Sequence, residues 1–318
     1  MIERNVMAGS DAASSTVSSS LDHPLGPGDY LPLAKPGITA LICLVAVAGF
    51  LLADPLAVDF ARLGILVATG ASASAGAAML NHYLDRDLDR RMKRTRGRPL
   101  ADEHVVRGSN VAVVGLSLLA LGIGGAVVFL NPLTGFSIFL GGITYVGIYT
   151  FWLKRRSSWN IVIGGFAGSA PALAGSAAAV GTWTPGVLTF ALLVFLWTPP
   201  HFWSLALLLK DDYARANLPM LPRMQDVPYS GKVVVVSAAL LVPAAILVGW
   251  SGAVSWPVLV ALAVLGVLFV AMTSPLWRSV TPRLARRGFL FSGPYLLGVV
   301  AAIAVNVPLL RAGVPGGL

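Results

Sequence analysis

The chain has 318 residues, of which 56% are apolar and 12% are charged, and its formal net charge is +9. Soluble domains carry about twice that charged fraction, so the composition excludes an ordinary soluble enzyme. The basic residues are concentrated in a few segments between long apolar runs, a pattern that sets membrane topology and argues against nucleic-acid binding.

Residues 1–34 are rich in Ser, Ala, Asp and Gly and lack the apolar stretch of a signal peptide. We expect a mostly disordered cytoplasmic tail there. A single nine-helix domain is predicted to follow over residues 35–312, and a short extracytoplasmic tail over residues 313–318.

Nine apolar runs of membrane-spanning length follow the tail. The predicted spans are 37–53, 61–81, 109–130, 132–153, 160–181, 185–208, 231–250, 254–275 and 289–310. They predict an all-α polytopic membrane protein with nine transmembrane helices in a bundle around a central cavity. Pro199 and Pro200 interrupt the sixth span, where we expect a kink or an unwound turn.

The connections between the spans alternate in charge. Those after the odd-numbered spans contain no Lys or Arg, whereas those after the even-numbered spans hold 19 of the 23 basic residues. The counts are 8 in 82–108, 3 in 154–156, 4 in 210–232 and 4 in 278–287. Basic connections stay in the cytoplasm, which predicts a cytoplasmic N-terminus and an external C-terminus.

An acidic row at the end of the second span is the strongest functional pattern. Asn81, Asp85 and Asp89 recur every fourth residue and fall within about 80° of one another on a helix. Two carboxylates at this spacing repel each other unless a cation lies between them. All-oxygen ligands of this kind suit Mg²⁺. Asp87 points about 160° away and fits a solvated position paired with the arginines that follow it.

A basic run over residues 90–98 follows the acidic row. Such runs are typical of cytoplasmic loops and of contacts with anionic membrane lipid, whatever the protein does. Beside metal-binding acids, guanidinium groups also favour a bound diphosphate. Arg98 is the strongest candidate because Gly97 and Pro99 flank it and favour a turn. Lys93 and Arg94 are further candidates.

A second acidic motif, TPPHFWSLALLLKDDY over residues 198–213, ends the sixth span. His201 and Asp212 are eleven residues apart and share a face if the helix is continuous. Asp211 lies about 100° from Asp212, so only one of the two side chains is expected to point at a given metal. The two acidic motifs suggest half-sites that face each other across the bundle, although a histidine beside a proline kink also fits a structural role.

The region around the fourth connection supplies the remaining candidates. Lys154 or Arg155 can close over a phosphate, and Asn160 either caps the fifth span or lines the cavity. Tyr145 and Tyr149 share a face of the fourth span, where they fit either the apolar core or the stabilisation of a cation.

Three stretches together resemble a known family: NHYLDRDLDRRMKRTRGRPL, NIVIGG and TPPHFWSLALLLKDDYARANLPMLP. Over residues 36–310 the chain is similar to the UbiA superfamily of intramembrane aromatic prenyltransferases. His201 stands where many quinone-directed members have an aspartate, so the chain looks like the heme-directed branch. The alternative is a prenyltransferase of the same superfamily that acts on a quinone precursor or another aromatic acceptor. A secondary transporter is disfavoured because the spans lack midplane charges.

The resemblance implies that a farnesyl group passes from farnesyl diphosphate to a vinyl group of heme b, giving heme o, in a bacterial plasma membrane. It implies Mg²⁺ as the cofactor, and heme a synthase or terminal oxidase assembly proteins as partners. His201 is expected to contact the heme iron or a propionate. The candidate residues are Asp85, Asp89, Asp212 and Arg98 for catalysis, Asn81, Asp85, Asp89 and Asp212 for the metal, and Lys93, Arg94, Arg98, Lys154, Asn160, His201, Asp211, Tyr145 and Tyr149 for the substrates.

The alternation of basic and uncharged connections makes the topology testable. A reporter fused after residue 310 should report an external location, and one inserted within residues 90–100 should report a cytoplasmic location. A cytoplasmic C-terminus would mean that a span has been miscounted.

Overall fold

The computed structural model describes residues 27–101 and 108–316. Most of the predicted tail over 1–34, residues 102–107 of the second connection and the last two residues therefore lie outside the described residues. The described end of the tail forms a short helix whose Leu33 is fully buried.

Within the two described ranges the regular elements are helices. They are α1 Pro27–Leu33, α2 Pro36–Ala53, α3 Phe60–Arg91, α4 Gly108–Phe129, α5 Pro132–Gly142, α6 Asn160–Gly164, α7 Phe166–Val180, α8 Pro185–Leu208, α9 Lys210–Arg215, α10 Leu221–Met224, α11 Val227–Ala239, α12 Leu241–Trp250, α13 Trp256–Thr273 and α14 Pro282–Arg311. A π-helical segment, Ile143–Leu153, continues α5, and a 3₁₀ turn, Ser274–Trp277, continues α13.

Nine helical stretches among the described residues are long and apolar enough to cross a membrane. They comprise α2, α3, α4, α5 with the π-helical segment, α6 with α7, α8, α11 with α12, α13 with the 3₁₀ turn, and α14. The predicted all-α, nine-span fold is therefore confirmed, and the chain is a multi-pass membrane protein. Large apolar side chains such as Phe60 and Leu121 remain exposed, as expected where a helix faces lipid.

The second span is much longer than its apolar part. The Asp59 side chain accepts hydrogen bonds from the backbone N–H groups of Ala61 and Arg62 and so caps the start of α3. At the other end the helix continues from the predicted limit at residue 81 to Arg91, which adds about 15 Å at 1.5 Å per residue. The acidic row therefore lies on one continuous helix.

The sixth span does not unwind at its two prolines. Helix α8 runs without interruption from Pro185 to Leu208, so of the two predicted alternatives, a kink or an unwound turn, the unwound turn is wrong. Proline removes a helical hydrogen bond, but tertiary packing holds both halves here, since Trp197 and Trp203 on either side of the prolines are buried. The chain breaks instead at Leu209, after which α9 begins.

The largest buried apolar cluster packs α8 against α12, α13 and α14. Phe190 of α8, Leu241 of α12, Phe269 of α13 and Tyr295 of α14 belong to it. The same α8 also lines the central cavity, so this packing fixes one wall of the site.

Helices α3 and α4 approach each other closely through small residues. A Cβ atom added at Gly122 of α4 would lie 2.5 Å from the carbonyl oxygen of Thr69 and 2.6 Å from the backbone nitrogen of Ala73. In contrast, a Cβ atom at Gly124, which is exposed on the same helix, would meet no atom within 4 Å. Glycine at position 122 thus permits the backbone contact that holds the two helices together.

This pair of glycines gives a matched stability test. Gly122→Ala should destabilise the detergent-solubilised protein by about 1–3 kcal/mol, because the added methyl group forces α3 and α4 apart. Gly124→Ala should leave the protein at least as stable, since alanine is the better helix former. Thermal unfolding of both variants checks this, and equal effects would contradict the proposed backbone contact.

Candidate active site

A cavity of about 830 Å³ lies within the bundle, between α2, α3, the π-helical segment, α7 and α8. Its lining is mostly apolar, and its size is typical of small-molecule sites. Polar side chains converge at one end, which we call the mouth. These are Lys35, Asn81, His82, Asp85, Asp89, Arg94, Arg98, Tyr145, Tyr149 and Lys154.

The acidic row is buried at the mouth. Asn81, Asp85 and Asp89 expose 4%, 1% and 4% of their surface and share the cavity-facing side of α3. The Asn81 side-chain amide donates a hydrogen bond of 2.8 Å to Asp85 Oδ2. The geometry predicted from the four-residue spacing is therefore present in the structure.

Cations from two other segments pair with the carboxylates. Lys154 Nζ lies 2.5 Å from Asp85 Oδ2, and Arg98 Nη1 lies 3.0 and 2.9 Å from the two oxygens of Asp89. Removing one partner of a buried pair leaves an uncompensated charge that costs about 3–5 kcal/mol. These ion pairs therefore tie the loop after α3 and the end of the fourth span to the acidic row.

Lys35 is a member of the mouth that the sequence analysis missed. Its Nζ donates hydrogen bonds to Asn81 Oδ1 at 2.6 Å and to the Tyr145 hydroxyl at 3.2 Å. Burial, together with the nearby cations Arg98 and Lys154, lowers the pKa of the Lys35 ammonium to about 7. The sequence does contain one indication of this role. Lys35 is the only Lys or Arg between Arg4 and Arg62, and it directly precedes the first span.

The π-helical segment and the residue that follows it bring three side chains to the cavity. Tyr145 and Tyr149 are stacked with ring centroids 6.0 Å apart, and Lys154 Nζ lies 5.9 Å from the Tyr149 ring centroid. On an α-helix Lys154 would lie about 180° from Tyr145. With the i→i+5 pairing of a π-helix, about 4.4 residues per turn, all three positions fall on one side. Gly164 makes room for this face, since a Cβ atom there would lie 2.6 Å from the Tyr149 ring.

Asp87 lies on the outer side of α3, as predicted, but with a different partner. Arg155, rather than the arginines that follow Asp87 on α3, binds its two oxygens at 2.7 and 2.8 Å. The hydrogen bond to Asp87 raises the pKa of Arg155. The exposed Asp87–Arg155 pair is separate from the buried cluster.

The second acidic motif contacts the backbone of the segment that follows the acidic row. His201 and Asp212 do not share one helix, because the chain breaks at Leu209. Asp212 accepts hydrogen bonds from the backbone N–H groups of Lys93 and Arg94 and is paired with Arg215. Its carboxylate thus holds the start of the segment that follows α3, residues 92–101, which we call the basic loop. A role as a metal ligand would require Asp212 to exchange these partners.

Four predicted site residues are not among the described residues that line the cavity. Asp212 is buried beneath the basic loop, and Asp211 and Lys93 are exposed. Asn160 is fully buried, and its side chain donates to the carbonyl oxygen of Ser157 rather than reaching the cavity.

Two histidines line the cavity. His201 stacks on Trp197 with ring centroids 4.6 Å apart, and its Nδ1 lies 2.5 Å from Ser292 Oγ. His82, which the sequence analysis did not select, is 4% exposed, and both of its ring nitrogens are buried without a hydrogen-bond partner. The only indication in the sequence that His82 belongs to the site is its position directly after Asn81.

The donor atoms of the row fit a hard cation. They are oxygens, and Asp85 Oδ1 is buried without a hydrogen-bond partner although it belongs to a charged group. Within the described residues no group of three or more His, Cys, Asp or Glu side chains is arranged to hold a metal. Mg²⁺ needs no such cage, because it is usually bound by one or two carboxylates together with water and substrate phosphates.

Known proteins similar to this chain share its length. A protoheme IX farnesyltransferase of Sulfurisphaera tokodaii is 38% identical over 87% of this chain and 92% of the relative. Another, from Metallosphaera sedula, is 41% identical over 84% of this chain and 92% of the relative.

The fold is also found in a solved structure. A UbiA homologue from Archaeoglobus fulgidus, bound to GPP and Mg²⁺, superposes with a TM-score of 0.61 at 16% identity, over 87% of this chain and 99% of that one. The sequence matches the model of the UbiA prenyltransferase family over residues 42–294, which is most of the chain. The protein therefore belongs to the UbiA prenyltransferase family.

Proposed function

We propose that this prenyltransferase transfers a farnesyl group from farnesyl diphosphate to a vinyl group of heme b and so produces heme o. The observation that carries the proposal is the cluster of buried carboxylates and cations at the mouth of an otherwise apolar cavity. The names of the two relatives, both protoheme IX farnesyltransferases, support the choice of donor and acceptor.

The diphosphate is bound at the mouth. Asn81, Asp85 and Asp89 would hold Mg²⁺, which neutralises charge on the departing diphosphate when it is bound. Arg98 and Lys154 already lie at the row, so each can turn from a carboxylate to a phosphate oxygen over a short distance. Lys35 contributes a further ammonium group from the start of α2.

The apolar part of the cavity takes the farnesyl chain and the reacting groups. When the bond between farnesyl C1 and the diphosphate oxygen breaks, an allylic cation forms where water is excluded. The stacked rings of Tyr145 and Tyr149 lie at the mouth, beside the departing diphosphate, and offer their faces to the positive charge. The heme vinyl group forms the new bond to C1, and the resulting cation adds water and loses a proton.

The proposed location of the active site is the cytoplasmic side of the membrane. Basic connections on the side of the mouth favour a cytoplasmic site in a bacterial plasma membrane, with the C-terminus outside. Heme o made there would pass to heme a synthase or to terminal oxidase assembly proteins, which are the proposed partners.

A product assay tests the proposal. Membranes that contain the full-length protein are incubated with heme b, farnesyl diphosphate and Mg²⁺, and the porphyrin products are identified by mass. The expected product is heme b plus one farnesyl group and one hydroxyl group, because the added water loses a proton. If a quinone precursor were farnesylated instead and heme b were left unchanged, the protein would be a quinone-directed member of the family.

The geometry of α3 predicts different sensitivities for three aspartates. Asp85→Asn and Asp89→Asn should each lower kcat at least about a hundredfold, because each removes a buried charge from the diphosphate site. Asp87→Asn is the matched control on the same helix and should have little effect on kcat, since Asp87 is exposed and paired with Arg155. Comparable losses in all three variants would show that the outer side of α3 also takes part.

A further inference from the structure

His201 is held in one orientation by two aromatic rings and a serine hydroxyl. Trp197 stacks on one face at an interplanar angle of 18°, and the Phe289 ring lies 5.1 Å away. Trp197 is itself fixed, because its Nε1–H donates a 2.9 Å hydrogen bond to the backbone carbonyl of Ser292. Helix α8 thus supplies the stacking partner of this imidazole, and helix α14 supplies Phe289, the hydrogen bond from Ser292 and the carbonyl that holds Trp197.

The hydrogen bonds of Ser292 determine which nitrogen of His201 carries the proton. Ser292 Oγ lies 2.5 Å from the carbonyl oxygen of Phe289. A carbonyl oxygen cannot donate, so the single hydroxyl proton of Ser292 is used there. Ser292 Oγ must then accept from His201 Nδ1–H, which leaves the lone pair of the neutral imidazole on Nε2.

That lone pair is open to the cavity. Nε2 of His201 has no hydrogen-bond partner among the described residues, and the side chain is partly exposed and lines the cavity wall. His82, the other histidine of the lining, differs because both of its ring nitrogens are buried. A neutral imidazole whose opposite N–H is held by an oxygen acceptor is the usual arrangement of a histidine that binds a metal.

We propose that His201 Nε2 is the axial ligand of the iron in the acceptor porphyrin, and that Ser292 is the positioning residue that fixes its tautomer. The assignment rests on the proposed function, because it takes heme as the acceptor. Imidazole is a common protein ligand of heme iron. Ligation at this point of α8 fixes the porphyrin against the cavity wall and so limits which of its edges reaches the mouth.

The test compares porphyrins with and without iron. Full-length wild-type protein and the variants His201→Ala, Ser292→Ala and His82→Ala are titrated in detergent with ferric heme and with metal-free protoporphyrin IX. Absorbance in the Soret region follows heme binding and reports ligation of the iron. Quenching of protein fluorescence follows protoporphyrin binding.

We expect His201→Ala to lose the imidazole-ligated spectrum and at least about tenfold in heme affinity, with protoporphyrin affinity unchanged. Added imidazole should restore the spectrum of this variant. Ser292→Ala should weaken heme binding by about tenfold, because the ring is retained but its Nδ1–H loses its acceptor. His82→Ala is the matched control and should keep the wild-type spectrum.

Several results would overturn the assignment. These are a wild-type heme spectrum in His201→Ala, loss of ligation in His82→Ala instead, or an equal loss of heme and protoporphyrin binding in His201→Ala. The last would mean that the variant damages the porphyrin pocket rather than an iron ligand. Wild-type protein that binds neither porphyrin would refute the proposed acceptor itself, an outcome distinct from the other three.

Discussion

The structure depends on how two buried carboxylates are paired with cations at the mouth of an apolar cavity. Asp85 and Asp89 lie one helical turn apart on α3, so they repel each other and are both removed from water. Lys154 and Arg98 come from separate segments to compensate them. Because an unpaired buried charge is so unfavourable, these contacts determine where the fourth span ends and how the basic loop folds back over the cavity.

The remainder of the fold supports this cluster. Asp212 binds two backbone N–H groups at the start of the basic loop and so directs the chain that leads to Arg98. The cluster of α8 with α12, α13 and α14 forms a rigid wall, and its edge near Trp197 and Ser292 orients His201. Charged groups are thereby confined to the mouth, whereas the interior can hold a prenyl chain and a flat aromatic acceptor.

The fold and the acidic row could be predicted because both depend on local periodicity. Apolar length marks each span, and a four-residue spacing places Asn81, Asp85 and Asp89 on one side of any helix. The sequence predicts Lys154 as a phosphate ligand but not its ion pair with Asp85, because nothing in the sequence marks the π-helix that precedes it. The place of Asp212 could not be predicted either, because it follows from a chain break at Leu209 and a contact more than a hundred residues away.

The central claim is that the acidic row acts through a divalent cation that it shares with the diphosphate. Calorimetric titration of the wild-type protein with a non-hydrolysable farnesyl diphosphate analogue, in the presence of Mg²⁺ and again in excess EDTA, tests it most directly. We predict that affinity falls at least about tenfold without the metal, which corresponds to about 1.4 kcal/mol of lost binding free energy. Equal affinity under both conditions would contradict the account, because it would show that the basic residues at the mouth hold the diphosphate without a metal.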